Sequence, residues 1–179
     1  MPRIVDHDVQ RAELLAKAFE IFADRGYAAT SMRALATGLG VSTGTLYHYF
    51  DGKDDIFEQM VLWTSQRDVT DALAVVDGGV AEEPLEAVFS WICSNETYLQ
   101  RRILLAFDFK RHRKDAPGRA LIEEAAKLYR DTFAGIVGSR GAAWSLIVGM
   151  LTQGVLQGGG VDFDEHLGVL RGLARLDES

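Results

Sequence analysis

Apolar residues recur every three to four positions along most of the chain, and the apolar–polar alternation typical of strands is scarce. The first such segment would carry Arg11, Lys17, Glu20 and Asp24 on its polar side. Its apolar stripe consists of Leu14, Leu15, Ala18, Phe19 and Phe22. The three prolines, at positions 2, 84 and 117, leave long intervals without the strongest helix breaker. We therefore predict an all-α protein.

Two helices are predicted at the start of the chain. The first runs over about residues 8–24 and ends at Gly26, which suits a left-handed cap. Thr30 or Ser31 then caps a second helix, because both are preferred N-cap residue types. The inward positions of that second helix are Met32, Leu35, Ala36 and Leu39.

A third helix follows Gly40 closely. If Ser42 is its N-cap, Val41 and Leu46 have the spacing of a hydrophobic staple, which fixes the angle at which the chain enters a helix. Two short helices joined by a tight glycine-containing turn, and braced by a longer helix, form a helix-turn-helix unit. We predict such a unit here.

The segment "LGVSTGTLYHYF" makes the third helix a candidate binding element. Leu46 and Phe50 are available to face the protein, which leaves outward Thr43, Gly44, Thr45, Tyr47 and His48. Gly44 costs a helix about 1 kcal/mol relative to alanine, and close approach of the backbone to another surface would compensate for this. Small hydroxyl groups and free N–H groups suit phosphates or base edges, and tyrosine and histidine donate to phosphates. Packing onto the neighbouring helices is the open alternative for Tyr47, His48, Tyr49 and Phe50, and most of all for the last two.

The rest of the chain is predicted to hold six helices. The fourth runs over about residues 53–76, and "DGGVAEEP" breaks the chain after it. The others are expected at 85–95, 97–114, 118–137, 142–157 and 164–176. The basic residues of "KRHRKD" are interpreted as a solvated helix end, where cations complement the helix dipole. We predict a DNA-binding domain at 1–53 and a ligand-sensing, dimerising helical bundle at 54–179.

The last two helices are the candidates for dimerisation, because the first of them is apolar on more than one side. A pair from each subunit would form a four-helix interface. The predicted interface residues are Trp144, Ile147, Val148, Leu151, Val155, Val169, Leu170 and Leu173. The alternative is a central helix buried within one subunit.

Aromatic residues in the second domain provide material for an apolar ligand cavity between helices. The candidates are Trp63, Phe89, Trp91, Tyr98 and Phe107. Aromatic side chains at helical spacing also build ordinary cores, so this alternative stays open for each of them.

Composition excludes several classes of protein. The apolar fraction of 47% and charged fraction of 25% are those of a soluble globular protein, and no apolar run approaches the length of a membrane span. The N-terminus lacks the apolar core of a secretory signal, so we expect a cytoplasmic protein. The single cysteine, Cys93, cannot form an intramolecular disulfide or a multi-thiolate zinc site. We find no phosphate loop, metal-ligand spacing or nucleophile elbow, and expect no metal, no cofactor and no enzymatic activity.

The net charge of −7 would by itself argue against a nucleic-acid partner. Residues 1–53, however, hold six basic and six acidic residues, so the acidic excess lies in the rest of the chain. Screening over about 8–10 Å lets a locally positive face act on an acidic molecule. The charge therefore permits a DNA-binding face near the N-terminus.

Residues 18–57, "AFEIFADRGYAATSMRALATGLGVSTGTLYHYFDGKDDIF", resemble the N-terminal domain of tetracycline-repressor-type (TetR) transcriptional regulators. The resemblance implies an all-helical homodimer that binds a near-palindromic double-stranded operator and usually represses. It further implies release from the operator when a small-molecule effector enters the C-terminal domain.

Carried onto this sequence, the resemblance implies a set of DNA contacts. Ser31 and Arg33 would lie near the backbone and the groove edge. The recognition helix would begin with Ser42, Thr43, Gly44 and Thr45, and the phosphates would be contacted by Tyr47, His48, Tyr49 and Lys53. Lys53 also stands in a first helical turn, where a cation opposes the helix dipole and an external anion would compensate.

One position departs from the family pattern. Many members have lysine where this chain has Thr43, so one phosphate or guanine contact would be missing. This departure favours the alternative function, a helical ligand-binding or interaction module without ligand-controlled release of DNA.

Overall fold

The computed structural model describes the backbone of residues 7–79, 83–137, 142–158 and 161–176, and describes no side chains for residues 137, 142 and 173–176. Within these ranges the chain is helical, and no strand occurs. The helices are α1 His7–Arg25, α2 Met32–Leu39, α3 Thr43–Tyr49, α4 Lys53–Asp77, α5 Pro84–Ser94, α6 Glu96–His112, α7 Ala116–Val137, α8 Ala142–Gln157 and α9 Phe163–Leu176. The predicted all-α fold is confirmed.

The helices form two compact units. The first unit contains the residues up to Gln66 together with Leu104–Ala125, and the second contains Arg67–Ile103 together with the residues from Ala126 onward. Helices α4, α6 and α7 each contribute residues to both units. The functional boundary between residues 53 and 54 stays a prediction.

The core of the first unit begins with the predicted stripe of α1. Leu14, Leu15, Ala18, Phe19 and Phe22 are all buried. Phe22 meets Phe57 of α4 edge-on, and Phe57 stacks on Phe109 of α6 with ring centroids 4.3 Å apart. A buried phenylalanine contributes about 1.5–3 kcal/mol through removal of its surface from water. These rings therefore hold α1, α4 and the end of α6 together.

The core of the second unit is built from α5 to α9. Its buried residues are Leu85, Val88, Phe89, Ile92, Leu99, Phe133, Ala143, Ile147, Met150, Leu151 and Leu170. Phe89, a predicted cavity residue, packs in this core edge-on to Phe163, with the ring centroids 5.9 Å apart. Phe89 is thus an ordinary core residue, which was the alternative to a place in the ligand cavity.

The predicted dimer residues divide into two groups. Ile147, Leu151 and Leu170 are 2%, 4% and 0% exposed, and they face the core of their own protomer, which corrects their assignment to a surface. These three side chains are therefore buried within one subunit, which was the alternative to a dimer interface. Val169 is 49% exposed, whereas Trp144, Val148 and Val155 are half-buried. The side chain of Leu173 lies outside the described residues.

Candidate nucleic-acid interface

Two capped helices and a left-handed glycine build the helix-turn-helix. Ser31 has an extended backbone, and its hydroxyl accepts a hydrogen bond from the Ala34 N–H at 3.2 Å, as expected of an N-cap. Gly40 ends α2 with φ +70°, a conformation that favours glycine. The Val41 N–H donates to the Ala36 carbonyl, closing the turn that leads to α3.

Ser42 caps α3. Its Oγ accepts a hydrogen bond from the Thr45 N–H at 2.9 Å and lies 2.8 Å from Thr45 Oγ1. Thr30, the other candidate cap of α2, is buried instead, and its hydroxyl donates to the Gly26 carbonyl. Both caps of the unit are therefore serines, and their hydroxyl groups already take part in local hydrogen bonds.

The exposed face of α3 agrees with the predicted orientation. Leu46 and Phe50 are buried, at 0% and 3% exposure, whereas Tyr47 is 59% exposed. The other outward positions are the exposed Thr43, Gly44 and His48 and the half-buried Thr45. Ser31 and Arg33, at the start of α2, are exposed as well. These residues can reach an external partner, and their contact with DNA stays a prediction.

Gly44 has open space around it. A Cβ added there would meet only Ser42 Oγ, at 3.6 Å, which is an ordinary van der Waals distance. Packing within this chain therefore does not require glycine at this position, although alanine would be the better helix former.

Tyr49 has partners within the protein. Its hydroxyl donates to Gln10 Oε1 at 2.7 Å and lies 3.2 Å from His7 Nδ1. The ring is half-buried between α3 and the start of α1. Tyr49 therefore packs onto a neighbouring helix, as its alternative role predicted. A phosphate contact would share the hydroxyl group with Gln10 and His7.

Lys53 also has an internal partner. Its Nζ donates to the Tyr27 carbonyl at 3.0 Å and lies 4.2 Å from the centroid of the Tyr27 ring. These contacts compensate for the unfavourable position of a cation in the first turn of α4, so that compensation no longer requires an external anion. The phosphate contact of Lys53 stays a prediction.

Tyr27 joins three segments of the first unit. Its N–H donates to Asp108 Oδ2 at 2.7 Å, and its hydroxyl accepts a hydrogen bond from Arg113 at 3.3 Å. Arg113 also pairs with Asp54 and, at 2.7 Å, with Asp115. Burial, followed by the hydrogen bond to Asp54, raises the pKa of the Tyr27 hydroxyl. Arg113 is thus a bridging residue, which corrects its interpretation as part of a solvated helix end.

A buried polar cluster lies in the second unit. Asp68 of α4 is 1% exposed and pairs with Arg102 at 2.7 Å. It also accepts hydrogen bonds from the hydroxyls of Tyr98, at 2.9 Å, and Tyr129, at 2.7 Å. Burial raises the pKa of Asp68, while the attraction of Arg102 acts in the opposite direction. Trp144 stacks on Tyr129, with ring centroids 5.6 Å apart.

The predicted cavity aromatics are divided between the two units. Tyr98 belongs to the Asp68 cluster, and Trp91 is half-buried against the core of the second unit. Trp63 and Phe107 belong to the first unit, where Phe107 is 60% exposed. The part of these residues in ligand binding stays a prediction.

Sequence reasoning missed His7, Tyr27 and, in the buried polar cluster, Asp68, Arg102 and Tyr129. Asp68 carried a usable signal, because it falls at helical spacing with the buried Thr64 and Ala72 of α4. His7 and Tyr27 carried none, since their partners are distant in the sequence.

In the part of the chain that the structure describes, neither a membrane-spanning helix nor a metal-binding group is found. None of its helices combines the length and the apolar character required to cross a membrane. Its His, Cys, Asp and Glu side chains form no group of three or more that could hold a metal ion.

Comparison with known proteins relates the N-terminal part of the chain to a family of regulators. Residues 14–60 match the model for "Bacterial regulatory proteins, tetR family". The transcriptional repressor KstR2 of Mycobacterium tuberculosis is 37% identical over 71 residues, which cover 36% of this chain and 36% of that relative. The chain thus matches about a third of the length of this curated relative.

Two solved structures share the fold over nearly the whole chain. A putative transcriptional regulator from Pseudomonas aeruginosa PAO1 has a TM-score of 0.74 at 17% identity, covering 98% of this chain and 94% of that chain. The regulator FadR from Bacillus subtilis, solved in complex with stearoyl-CoA, has a TM-score of 0.66 at 19% identity, covering 93% and 97%. Residues 14–60 thus carry the helix-turn-helix of the tetR family of bacterial regulatory proteins, and the curated relatives that match there are transcriptional regulators.

Proposed function

We propose that this chain is a sequence-specific DNA-binding transcriptional regulator that represses its targets. The observation that carries the proposal is the exposed head of α3, where Thr43 and Gly44 are open to an external partner. A capped helix N-terminus with small side chains can approach a phosphate backbone or a base edge in a major groove closely. Tyr47 and His48, one turn further on, are exposed and can donate to phosphates.

The regulator acts as a homodimer in this proposal. Two-fold symmetry would present two copies of α3 to successive major grooves about 34 Å apart, which fits a near-palindromic operator. Exposed apolar residues of α8 and α9, Leu156 at 82% and Val169 at 49% exposure, support a partner surface on these helices. Sedimentation at micromolar concentration tests the dimer, and a monomer would contradict it.

A small-molecule effector would release the repressor from DNA. An effector shifts the population only if it binds the released state more tightly than the DNA-bound state. The fold neighbour FadR was solved with stearoyl-CoA, so long-chain acyl-CoA is the first class of compound to test. We place the protein in the cytoplasm, where the DNA and such metabolites are found, and assign it no enzymatic activity.

Fragment selection with the purified protein tests DNA recognition. We expect enrichment of fragments that share a near-palindromic sequence, and a gel shift with the selected operator. Arg33→Ala should weaken this binding, because Arg33 is an exposed cation at the start of α2. The matched control is Arg130→Ala, which removes an exposed arginine from α7. If the selected fragments shared no common sequence, the result would favour the alternative function, a helical ligand-binding or interaction module.

Stearoyl-CoA is then added to the protein–operator complex. Release of the operator at saturation would support an acyl-CoA-responsive repressor. Binding of stearoyl-CoA without any change in operator affinity would contradict ligand-controlled release by this compound, and the DNA-binding function would stand.

A further inference from the structure

His7 and His48 lie side by side on the surface of the first unit. The ring centroids of the two imidazoles are 5.9 Å apart, although one begins α1 and the other lies near the end of α3. The Tyr49 ring contacts both, at 5.8 Å from His7 and 5.2 Å from His48. We call these three residues the imidazole cluster. It continues the exposed face of α3 toward α1, because His7 and His48 are both exposed.

The hydrogen bonds of Tyr49 fix the orientation of His7. The single hydroxyl hydrogen of Tyr49 is donated to Gln10 Oε1 at 2.7 Å. Its oxygen is therefore an acceptor toward His7, and His7 Nδ1, at 3.2 Å, is the donor. This contact uses one ring nitrogen of His7 and leaves Nε2 for another partner. Tyr49 and Gln10 thus act as positioning residues for the imidazole.

Charged and titratable groups on α1 and α3 accompany the cluster. On α1, Asp8 follows His7 in the chain, and the Arg11 guanidinium packs over the Phe50 ring, 5.5 Å from its centroid. On α3, the titratable groups are Tyr47 and the cluster members His48 and Tyr49. His112, by comparison, has Asp108 Oδ1 at 3.2 Å from its Nδ1.

We propose that His7 is a further DNA-contacting residue, which donates to a phosphate beside the one contacted by His48. The proposal rests on the proposed function, because both phosphates belong to the DNA that α3 reads. Histidine is the side chain whose charge changes between about pH 5 and pH 8. A protonated imidazole donates from both nitrogens and neutralises a phosphate, so acidification strengthens this contact.

The salt dependence of DNA binding measures the number of phosphates that the protein neutralises. Each contact contributes about 0.9 to the slope of log affinity against log salt. The experiment titrates a short duplex, in salt from about 50 to 200 mM, at about pH 6 and pH 8. The proteins are the full chain, His7→Gln, His48→Gln and the double variant. Glutamine keeps a hydrogen-bonding side chain but cannot take up a proton.

We expect the slope of the full chain to be steeper at about pH 6 than at about pH 8, by up to about 0.9 for each imidazole that neutralises a phosphate. Each single variant should lose about half of this change, and the double variant should lose nearly all of it. His112→Gln is the matched control, since it removes an exposed histidine of the same unit outside the cluster. Its slopes should equal those of the full chain.

Two results overturn the proposal and remain distinguishable. If the full chain binds DNA with the same slope at both values of pH, or if His7→Gln behaves as the full chain does, His7 makes no phosphate contact and the regulator function stands. If no protein binds any duplex even at the lowest salt, the proposed function fails, and the role of His7 fails with it.

Discussion

The hydroxyl of Tyr27 donates a hydrogen bond to Asp54 Oδ1 across 2.5 Å, joining the loop after α1 to the first turn of α4. Tyr27→Phe should keep the ring contacts with Phe57 and Phe109 and lose both this bond and the weaker one from Arg113. We expect the free energy of unfolding to fall by about 1.5–3 kcal/mol, as for hydrogen bonds to charged groups. Urea denaturation measures the change.

Tyr47→Phe is the control for this substitution. It removes the same hydroxyl from an exposed tyrosine of α3, so the free energy of unfolding should stay within about 0.5 kcal/mol. An equal loss in the two variants would mean that the Asp54 contact adds nothing to stability.

The Arg113–Asp115 pair predicts a dependence of stability on pH. Hydrogen bonds from Arg113 lower the pKa of Asp115 from the usual 3.8 to about 2. A carboxyl whose pKa is lower in the folded state stabilises the protein above its unfolded pKa. This contribution is lost as the pH falls through the folded value. Relative to Asp115→Asn, the full chain should therefore lose its advantage between about pH 4 and pH 2.

Thermal unfolding across that pH range, at low and high salt, tests the pair. The difference in Tm between the full chain and Asp115→Asn should be small and should shrink in high salt, since Asp115 is exposed. A difference in Tm that stayed constant from neutral pH down to about pH 2 would contradict a contribution of the ionised carboxylate to stability.

The helices could be predicted because their signals are local. Apolar spacing located α1, and Gly26, Ser42 and Gly40 marked ends or caps that the structure confirms. The side chains with long-range partners could not be predicted in this way. Arg113 follows a helix end and bonds to Asp54, which lies on a different helix, and no local pattern encodes that contact.

The candidate site was predictable to the same extent. The inward direction of Leu46 and the outward direction of Tyr47 followed from the helical period of α3. The contacts of Tyr49 with Gln10 and of Lys53 with the Tyr27 carbonyl depend on how α1 and α4 pack around α3. Intramolecular partners of this kind compete with the external partners that the sequence suggests.

The Asp68–Arg102 ion pair predicts a strong coupling between two substitutions. Both side chains are nearly buried, so removal of either one leaves the other as a buried charge without this ion pair. Asp68→Asn and Arg102→Met should each lower the free energy of unfolding by about 3–5 kcal/mol. The double variant should lose much less than the sum, since it leaves neither charge buried.

Chemical denaturation of the four proteins gives the coupling energy of this cycle. Arg130→Met with Asp131→Asn serves as the comparison, since this pair is exposed and its cycle should give less than about 1 kcal/mol. If the losses in the free energy of unfolding from the two single variants added up in the double variant, the Asp68–Arg102 pair would have no coupling energy.

Gly44→Ala separates the stability of α3 from its proposed function. An added Cβ has room, since its nearest neighbour is Ser42 Oγ at 3.6 Å, and alanine is the better helix former by about 1 kcal/mol. We therefore expect the free energy of unfolding to rise by up to that amount. Operator affinity should fall, because the methyl group would stand between the α3 backbone and the DNA. A gel shift and urea denaturation measure the two effects.

Gly135→Ala is the matched control, because Gly135 lies on α7 with nothing within 4 Å of an added Cβ. It should raise stability similarly and leave operator affinity unchanged. The combination of greater stability with weaker DNA binding is therefore specific to position 44. If Gly44→Ala bound the operator as tightly as the full chain does, the backbone of α3 would not approach DNA closely at this residue, and the glycine would need another explanation.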